Sequence, residues 1–324
     1  MALTFGIYPG GLLGDDKGIV HPVRPDVPDR IAAALDALQG DAGPLTVRAY
    51  HSFAATVLPE PPTPADPCTY LERGRKLDLV LSYREPTGRL GEWLEFVRAA
   101  VRTHGPHLAS VQICEEPNAD LPALDGSTPN VLNALVQGVI AAKQEARTLG
   151  HPLAVGFNAV PTFDPADTFW SDLSAVADAR FLDSLDYVGL DFFPDVFRPL
   201  PGDQLAEAVT AVLTAFRRTD LPTAGIPDTV PVRVCENGWP TGPGRPEQRQ
   251  AATLATVVRT VAALAAGLTI DAYSFFSLRD ADSGADGLFH HFGLLRDDYT
   301  PKPAFATYRR LIHELGNPPA RHGA

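Results

Sequence analysis

Two segments of the chain carry glutamates in a setting suited to acid–base chemistry. The first is Glu115-Glu116-Pro117-Asn118 and the second is Glu236-Asn237-Gly238-Trp239. Two carboxyl groups can share one reaction when one donates a proton and the other attacks carbon or activates water. A separation of about 5 to 5.5 Å suits double displacement, whereas about 6.5 to 9.5 Å leaves room for an attacking water. Each glutamate alone is more typical of a solvated loop, so this chemistry requires a fold that brings the two segments together.

Eight short runs of apolar, β-branched and aromatic residues indicate the elements that position these segments. They begin roughly 30 to 45 residues apart, as repeated strand–helix units do. Most are nearly continuous in apolar character, which is typical of strands in a buried parallel sheet. The runs are LTFGIY from Leu3, LTVRAY from Leu45, LDLVLSY from Leu77, ASVQIC from Ala109, LAVGF from Leu153, DYVGLDFF from Asp186, VPVRVC from Val230 and IDAYSFF from Ile270.

Three segments between these runs have helical periodicity. After Thr128, the predicted N-cap, apolar residues recur at intervals of three and four until Gly150 stops the helix. A second predicted helix extends from Pro246 to Gly267, and a third covers Arg30 to Gln39. Each of them would lay one apolar stripe on a sheet.

Eight strands with intervening helices predict an α/β fold, a single closed (β/α)8 TIM barrel. No shift in composition marks a boundary, so we expect one domain over residues 1–324, with a frayed tail from about 317 to 324. An open doubly wound sheet is the structural alternative. It is disfavoured because YPGGLLGDDKG, which follows the first run, lacks the GxGxxG spacing of a dinucleotide site.

A barrel of this kind would place both glutamate segments at the same mouth. Reacting groups in TIM barrels come from the C-terminal ends of the strands and the loops after them. Glu115 and Glu116 follow the fourth predicted strand, and Glu236 ends the seventh. We therefore expect the two segments to face one another across the mouth.

At this point the chain resembles clan A of the glycoside hydrolases, a superfamily of barrels with an acid/base after strand four and a nucleophile after strand seven. Glu116-Pro117-Asn118 matches part of the Asn-Glu-Pro motif of the clan. The segment from Glu236 to Thr241, ENGWPT, is similar to the nucleophile segment of several β-glucanase and galactanase families. FGLLRDDYTPKPAFATYRRL, from Phe292, looks like the stretch that follows strand eight in many members.

The resemblance implies a retaining glycoside hydrolase that cleaves a β-linked oligosaccharide or glycoside. Glu116 would be its general acid/base and Glu236 its nucleophile. Two departures leave an alternative open, a repurposed or non-catalytic barrel that binds carbohydrate. Glu115 stands where the clan usually has Asn, and Phe193 stands where related families often have a Tyr that donates to the nucleophile.

Further side chains near the strand ends are candidates for binding the sugar. Arg48, which has the same strand parity as Tyr50, is the expected hydrogen-bond donor to Glu236, with a structural ion pair as its alternative. The aromatic candidates could stack on a pyranose ring, although core packing explains most of them equally well. The predicted substrate-binding residues are Arg48, Tyr83, Glu115, Asn118, Asp191, Trp239 and Phe276.

Composition narrows the classes of partner. The chain has 39 acidic and 27 basic residues, a net charge of -12, and no basic block, so nucleic acid is not an expected partner. Apolar patches are interrupted by Gly, Pro and charges, so no membrane span is expected. The expected partner is a carbohydrate or small glycoside, and the oligomeric state is left undetermined.

The remaining features predict a protein without metal or cofactor. His290 and His291 are adjacent and no Cys/His cluster has metal-type spacing, so we expect neither a metal site nor a cofactor. The start MALTFGIYPGG lacks the features of a signal peptide. An odd number of cysteines, three, is also typical of a reducing compartment, so the expected location is cytoplasmic.

Overall fold

The eight predicted strands form a closed parallel barrel in chain order, with the last strand paired to the first. The computed structural model describes residues 2–11, 23–54, 63–122 and 124–316. The predicted fold class, a (β/α)8 barrel, is thereby confirmed, and the doubly wound alternative is excluded. The expected frayed tail lies outside the described residues. The strands are β1 Thr4–Ile7, β2 Thr46–Phe53, β3 Lys76–Tyr83, β4 Leu108–Ile113, β5 Ala154–Ala159, β6 Tyr187–Asp191, β7 Val232–Asn237 and β8 Ile270–Phe275.

Helices surround the barrel, and the three predicted from sequence are present. They are α1 Pro28–Gln39, α2 Leu90–His104, α3 Val131–Leu149, α4 Phe169–Val176, α5 Ala179–Leu182, α6 Leu205–Ala215, α7 Leu221–Thr223, α8 Glu247–Leu268 and α9 Pro303–Leu315.

The predicted start of α3 was wrong. Thr128 is not its N-cap, because the Thr128 amide closes a 3₁₀ turn on the carbonyl of Asp125 at 2.8 Å. The helix begins after Asn130, which has a left-handed backbone, and it ends as predicted at Gly150.

The main core lies between the barrel and its helices, and it fixes the strand that carries the first glutamate segment. Trp93 of α2 is fully buried and donates from Nε1 to the carbonyl of Ala134 on α3 at 2.9 Å. A Cβ atom on Gly138 of α3 would lie 2.7 Å from Cγ2 of Ile113, the last residue of β4. Only glycine allows so close an approach, so α3 packs directly against the end of β4.

Polar side chains fill part of the barrel interior. Arg48 of β2 donates to Oδ2 of Asp78 on β3 at 2.8 Å, and Ser110 of β4 donates to Oδ1 of the same carboxylate at 2.6 Å. All three residues are at least nine-tenths buried. Because buried polar groups need partners, these hydrogen bonds fix the orientation of Arg48 beneath the mouth.

Among the described residues, one helix, α8, is long and apolar enough to cross a membrane by length and composition. Its buried face includes Leu254, Val257 and Val261. The helix packs against α6, α9 and β8, as an outer helix of a barrel does.

Candidate active site

The mouth of the barrel brings the acidic side chains of β4, β6 and β7 together. Carboxylate oxygens of Glu115, Glu116 and Asp191 lie within 4.8 Å of one another, and we call these three residues the acidic cluster. Asp191 ends β6 and is opposite Glu236 of β7, after a register shift between Leu190 and Asp191. The expected convergence of the two glutamate segments therefore extends to a fourth carboxylate.

A tight turn after β4 aims Glu116 into this mouth. Cys114 and Glu116 have φ values of 66° and 44°, a left-handed backbone that side-chain-bearing residues adopt rarely. The amide of Glu115 donates to Asp125 Oδ2 at 2.8 Å, and that of Glu116 donates to Asn158 Oδ1 at 2.8 Å. Such strained conformations persist where surrounding bonds hold them, and they are concentrated at functional sites.

Two side chains from β2 bind Glu236. Arg48 lies where the sequence placed it, with its Nε 3.3 Å from Oε1 of Glu236. The hydroxyl of Tyr50 donates to the same oxygen in a very short hydrogen bond. Phe193, which stands where related families often have a tyrosine donor, supplies no hydroxyl, and Tyr50 of β2 supplies one instead.

Sequence reasoning did not select Tyr50 as a site residue. The one available signal was its strand parity with Arg48, because residues two apart in a strand share a face. Asn158 was also missed. Its Nδ2 donates to Oδ2 of Asp191 at 2.5 Å while its Oδ1 accepts from the Glu116 amide, so one amide links two members of the acidic cluster.

The surroundings of the acidic cluster raise the pKa of its three carboxyls. Burial, followed by repulsion from Glu115 and Glu236, raises the pKa of Glu116 well above its usual value. Burial and repulsion from Glu236 likewise raise the pKa of Glu115 and of Asp191, and Arg48 partly opposes both shifts. Neighbouring carboxyls in a buried site oppose one another's ionisation, so this arrangement favours the protonated form within the cluster.

Glu115 lies deep in the site. It is 6% exposed, its Oε2 accepts from Gln112 Nε2 at 2.7 Å, and the same oxygen lies 3.6 Å from Nη2 of Arg48. Arg48 therefore contacts both Glu115 and Glu236, which couples the two glutamate segments through one guanidinium.

Three predicted sugar-binding residues, Tyr83, Asn118 and Trp239, make contacts within the protein that do not favour contact with a sugar. Tyr83 is fully buried and packs against Phe53 and Trp93 on the helix side of β3, so its placement does not favour contact with a sugar. Both ends of the Asn118 amide bind the backbone of Val160 at 2.9 Å, which ties the loop after β4 to the end of β5.

Trp239 also lies below the surface of the mouth. It is 2% exposed, and its Nε1 donates to Asp195 Oδ2 at 3.0 Å. The guanidinium of Arg245 covers its ring at 3.7 Å. Stacking of a sugar on this ring would require displacement of Arg245.

Phe276 is partly exposed and remains available to a ligand. Its ring stacks on Tyr8 with centroids 5.1 Å apart and planes inclined by 11°. Tyr8 in turn contacts Tyr50 edge to face at 5.2 Å. The aromatic side of the mouth is therefore continuous with the donors to Glu236.

The acidic cluster is also the set of described residues best placed to hold a metal ion, since each member offers an oxygen within 4.8 Å of the others. A cation there would occupy the oxygens that otherwise bind protons.

Comparison with known proteins identifies the fold. No family model and no curated protein matches the sequence. Among solved structures, a family 1 β-glucosidase from Thermotoga maritima aligns with a TM-score of 0.63 and 13% identity, over 97% of this chain and 98% of that one. A family 39 glycoside hydrolase from Bacteroides cellulosilyticus aligns with a TM-score of 0.61 and 17% identity, over 98% of this chain and 64% of that one.

A β-glucuronidase from Ruminococcus gnavus, solved with D-glucuronic acid, aligns with a TM-score of 0.62 and 13% identity, over 96% of this chain and 49% of that one. Identities this low carry information about fold alone. The chain has the barrel fold of these glycoside hydrolases, as its resemblance to clan A predicted.

Proposed function

We propose that the chain is a retaining glycoside hydrolase that acts on a β-linked glycoside or oligosaccharide. One observation carries the proposal: a carboxylate bound by Tyr50 and Arg48, Glu236, shares a barrel mouth with Glu116, a carboxyl with a raised pKa. A nucleophile needs donors that keep it ionised, and a general acid needs to hold its proton. The two environments meet these opposite requirements.

In the first step Glu236 attacks the anomeric carbon of the substrate. Tyr50 and Arg48 both bind Oε1, so we assign Oε2 as the attacking oxygen. A bond forms between Oε2 and the anomeric carbon as the glycosidic C–O bond breaks. The proton of Glu116 passes to the departing oxygen, which leaves as an alcohol.

In the second step water releases the sugar. Glu116, now ionised, takes one proton from a water molecule, and the water oxygen bonds to the anomeric carbon. The bond from that carbon to Glu236 breaks, and its electron pair returns to the carboxylate. Two inversions give a product with the configuration of the substrate.

Glu115 and Asp191 support the acid in this scheme. Their carboxyls lie within 4.8 Å of Glu116, and repulsion from Glu115 raises its pKa. Replacement of the usual Asn by Glu115 is therefore compatible with catalysis, because it favours the protonated form that the first step requires.

The assignment is tested with Glu116→Ala and Glu236→Ala on a panel of aryl β-glycosides. We expect kcat to fall about a thousandfold or more in Glu236→Ala, and the second step to slow by about a hundredfold or more in Glu116→Ala. The control is Glu207→Ala, which removes an exposed glutamate of α6 and should leave turnover unchanged.

Azide distinguishes the two roles. It should add to the face vacated by Glu236 and give an inverted glycosyl azide in that variant, whereas in Glu116→Ala it should attack the glycosyl–enzyme and give a retained one. Unchanged turnover in either variant, or the opposite stereochemistry, would contradict its assigned role.

The second candidate is a barrel that binds carbohydrate without cleaving it, which Glu115 and Phe193 suggested. The hydroxyl of Tyr50 weakens this reading, because it supplies the donor that Phe193 lacks. Sugar binding by calorimetry together with no turnover of any glycoside would favour the second candidate.

The cytoplasmic location also stays a proposal, supported by three free cysteines, Cys68, Cys114 and Cys235.

A further inference from the structure

A continuous wall of phenylalanine rings leads from the active site to solvent. We define the phenylalanine wall as Phe276, Phe193, Phe292, Phe289 and Phe197. Phe193 contacts Phe276 at a centroid distance of 6.4 Å, Phe292 at 5.5 Å and Phe197 at 6.2 Å. Phe289 contacts Phe197 and Phe292, both at 5.8 Å. The rings come from the loops after β6 and β8, so two separate segments build one surface.

The inner end of the wall adjoins the proposed nucleophile. Phe276 stacks on Tyr8 at 5.1 Å, and Tyr8 packs at 5.2 Å against Tyr50, whose hydroxyl binds Glu236. One ring, that of Tyr8, therefore separates the wall from Tyr50, the residue that binds the nucleophile. In the proposed mechanism Glu236 bonds to the reacting carbon, so the wall begins on the side of the mouth where that carbon would lie.

The outer end of the wall faces water. Phe197 is 61% exposed, the largest exposed fraction among the large hydrophobic residues of the described chain, and Phe193, Phe276 and Phe289 are partly exposed. Only Phe292 is buried, at 3%. Contiguous exposed apolar surface is unfavourable in water and typically marks a binding site.

The chemistry of the wall restricts what it can bind. Phenylalanine has no polar atom on its side chain, whereas a sugar-binding surface needs donors and acceptors for hydroxyl groups beside its aromatic faces. All five rings are phenylalanine, and the hydroxyl of the adjoining Tyr8 is hydrogen-bonded to Oγ1 of Thr63 at 2.8 Å. Such a surface favours an apolar ligand over a second sugar.

We propose that the phenylalanine wall binds an apolar aglycone, an aromatic or alicyclic group joined to the sugar through the oxygen that Glu116 protonates. The proposal rests on the hydrolase function proposed above and names its substrate class. The substrate would then be a β-glycoside of a hydrophobic alcohol or phenol. The acidic cluster acts on the sugar end of this molecule and the wall holds the other end.

Binding of the free aglycone tests the wall independently of hydrolysis. The probe is 2-naphthol, titrated by isothermal calorimetry and by its fluorescence, because it carries no sugar and cannot be cleaved. The test variant is F197S/F289S, which replaces two outer rings of the wall. The matched control is F163S, since Phe163 is 57% exposed and its ring lies under Arg198 outside the wall.

Wild type and F163S should bind 2-naphthol equally, and F197S/F289S should bind it about tenfold more weakly, because it loses aromatic contacts and buried apolar area. Thermal melts of all three proteins establish that they are folded. Equal affinity in F197S/F289S and wild type, or no saturable binding by wild type, would overturn the proposal.

Turnover gives the second measurement. In wild type, kcat/KM for a 2-naphthyl β-glycoside should exceed that for the methyl glycoside of the same sugar, and this ratio should fall about tenfold in F197S/F289S but not in F163S. Binding of 2-naphthol without any turnover would contradict the hydrolase function and support the phenylalanine wall as an apolar binding site. If wild type turns over both glycosides and F197S/F289S leaves the ratio of their kcat/KM values unchanged, the hydrolase function is supported and the aglycone site is contradicted.

A contact between two copies of the chain is the other use of such a surface. Sedimentation equilibrium of wild type and F197S/F289S examines it. Self-association that is lost in F197S/F289S, together with unchanged 2-naphthol binding, would overturn the aglycone site in favour of an oligomer interface.

Discussion

Individual side chains in this mouth acquire their chemistry from the groups beside them. Glu236 and Glu116 are the same residue type, yet one accepts hydrogen bonds from Tyr50 and Arg48 and the other lies beside Glu115. Donors stabilise an ionised carboxylate, and a second carboxyl in a buried site stabilises a protonated one. In the proposed mechanism, the different roles of the two glutamates therefore follow from their neighbours, which lie on β2 for Glu236 and in the turn after β4 for Glu116.

Removal of one charge from the acidic cluster should shift the pH dependence of turnover. In Glu115→Gln the neighbour that raises the pKa of Glu116 is neutral, so that pKa should fall. In the proposed mechanism activity requires protonated Glu116 and is lost as pH rises through its pKa, so the alkaline limb of kcat/KM should move to lower pH. The measurement is a pH–rate profile on an aryl glycoside.

The control for this profile is Asp120→Asn, which neutralises an exposed carboxyl on the same loop and should leave the limb in place. An alkaline limb that stays fixed in Glu115→Gln, or that moves to higher pH, would contradict the role assigned to Glu115.

The sequence could predict the two glutamates and Arg48 but not all of their partners. Arg48 was predictable because it shares the inward face of β2. Tyr83 has the same parity as Leu79 and Leu81, which are buried in the core against the helices, so alternation along β3 could have placed it outside the mouth. Asn158 had no signal in sequence, since only the closed barrel brings β5 beside the turn after β4.

Elements of the barrel were predictable where a local pattern determines them. Continuous apolar runs gave all eight strands, because a parallel strand covered on both faces has no polar alternation. The start of α3 was not predictable, because the 3₁₀ turn that captures Thr128 depends on Asp125. Asp125 is held in place because its Oδ2 accepts from the amides of Tyr83, at the end of β3, and Glu115, in the turn after β4.

Close packing of α3 on β4 can be tested at Gly138. In Gly138→Ala the new methyl group would lie 2.7 Å from Cγ2 of Ile113, so the helix or the strand end must shift. We expect a loss of about 1 to 3 kcal/mol in the free energy of unfolding, measured by denaturant titration. Since β4 leads into Glu116, kcat should fall as well.

Gly267→Ala is the matched control, because nothing lies within 4 Å of a Cβ at that position of α8. There the substitution should stabilise the protein by about 0.5 to 1 kcal/mol through helix propensity. Equal effects at the two glycines would show that α3 does not press on β4.

The buried carboxyl of Asp191 in the mouth lowers the stability of the whole folded protein when it ionises. Asp191 is fully buried, its Oδ1 has no hydrogen-bond partner, and burial raises its pKa well above the usual 3.8. The unfolded chain ionises this group near its usual pKa, whereas the folded chain resists ionisation. Its contribution to stability is therefore present below that value and lost as pH rises through the folded pKa.

Asp191→Asn should consequently raise the melting temperature by about 2 °C or more near pH 8, with little effect near pH 4. The substitution keeps an acceptor for Asn158 and removes the charge. Calorimetric melts between these two pH values measure the difference. Asp203→Asn, at an exposed carboxyl before α6, is the control and should show no such trend, and a uniform gain at both pH values would contradict the explanation.

The pairing of β1 with β8 has a consequence for folding of the protein during its synthesis on the ribosome. Strand β1 leaves the exit tunnel before the other seven strands, and its partner β8, Ile270–Phe275, is the last of the eight to be made. Until then, one edge of β1 lacks its neighbour, and exposed strand edges invite association with other chains. A nascent chain of this barrel thus depends on protection of β1 until β8 has been made, and chaperone binding during synthesis should concentrate on that interval.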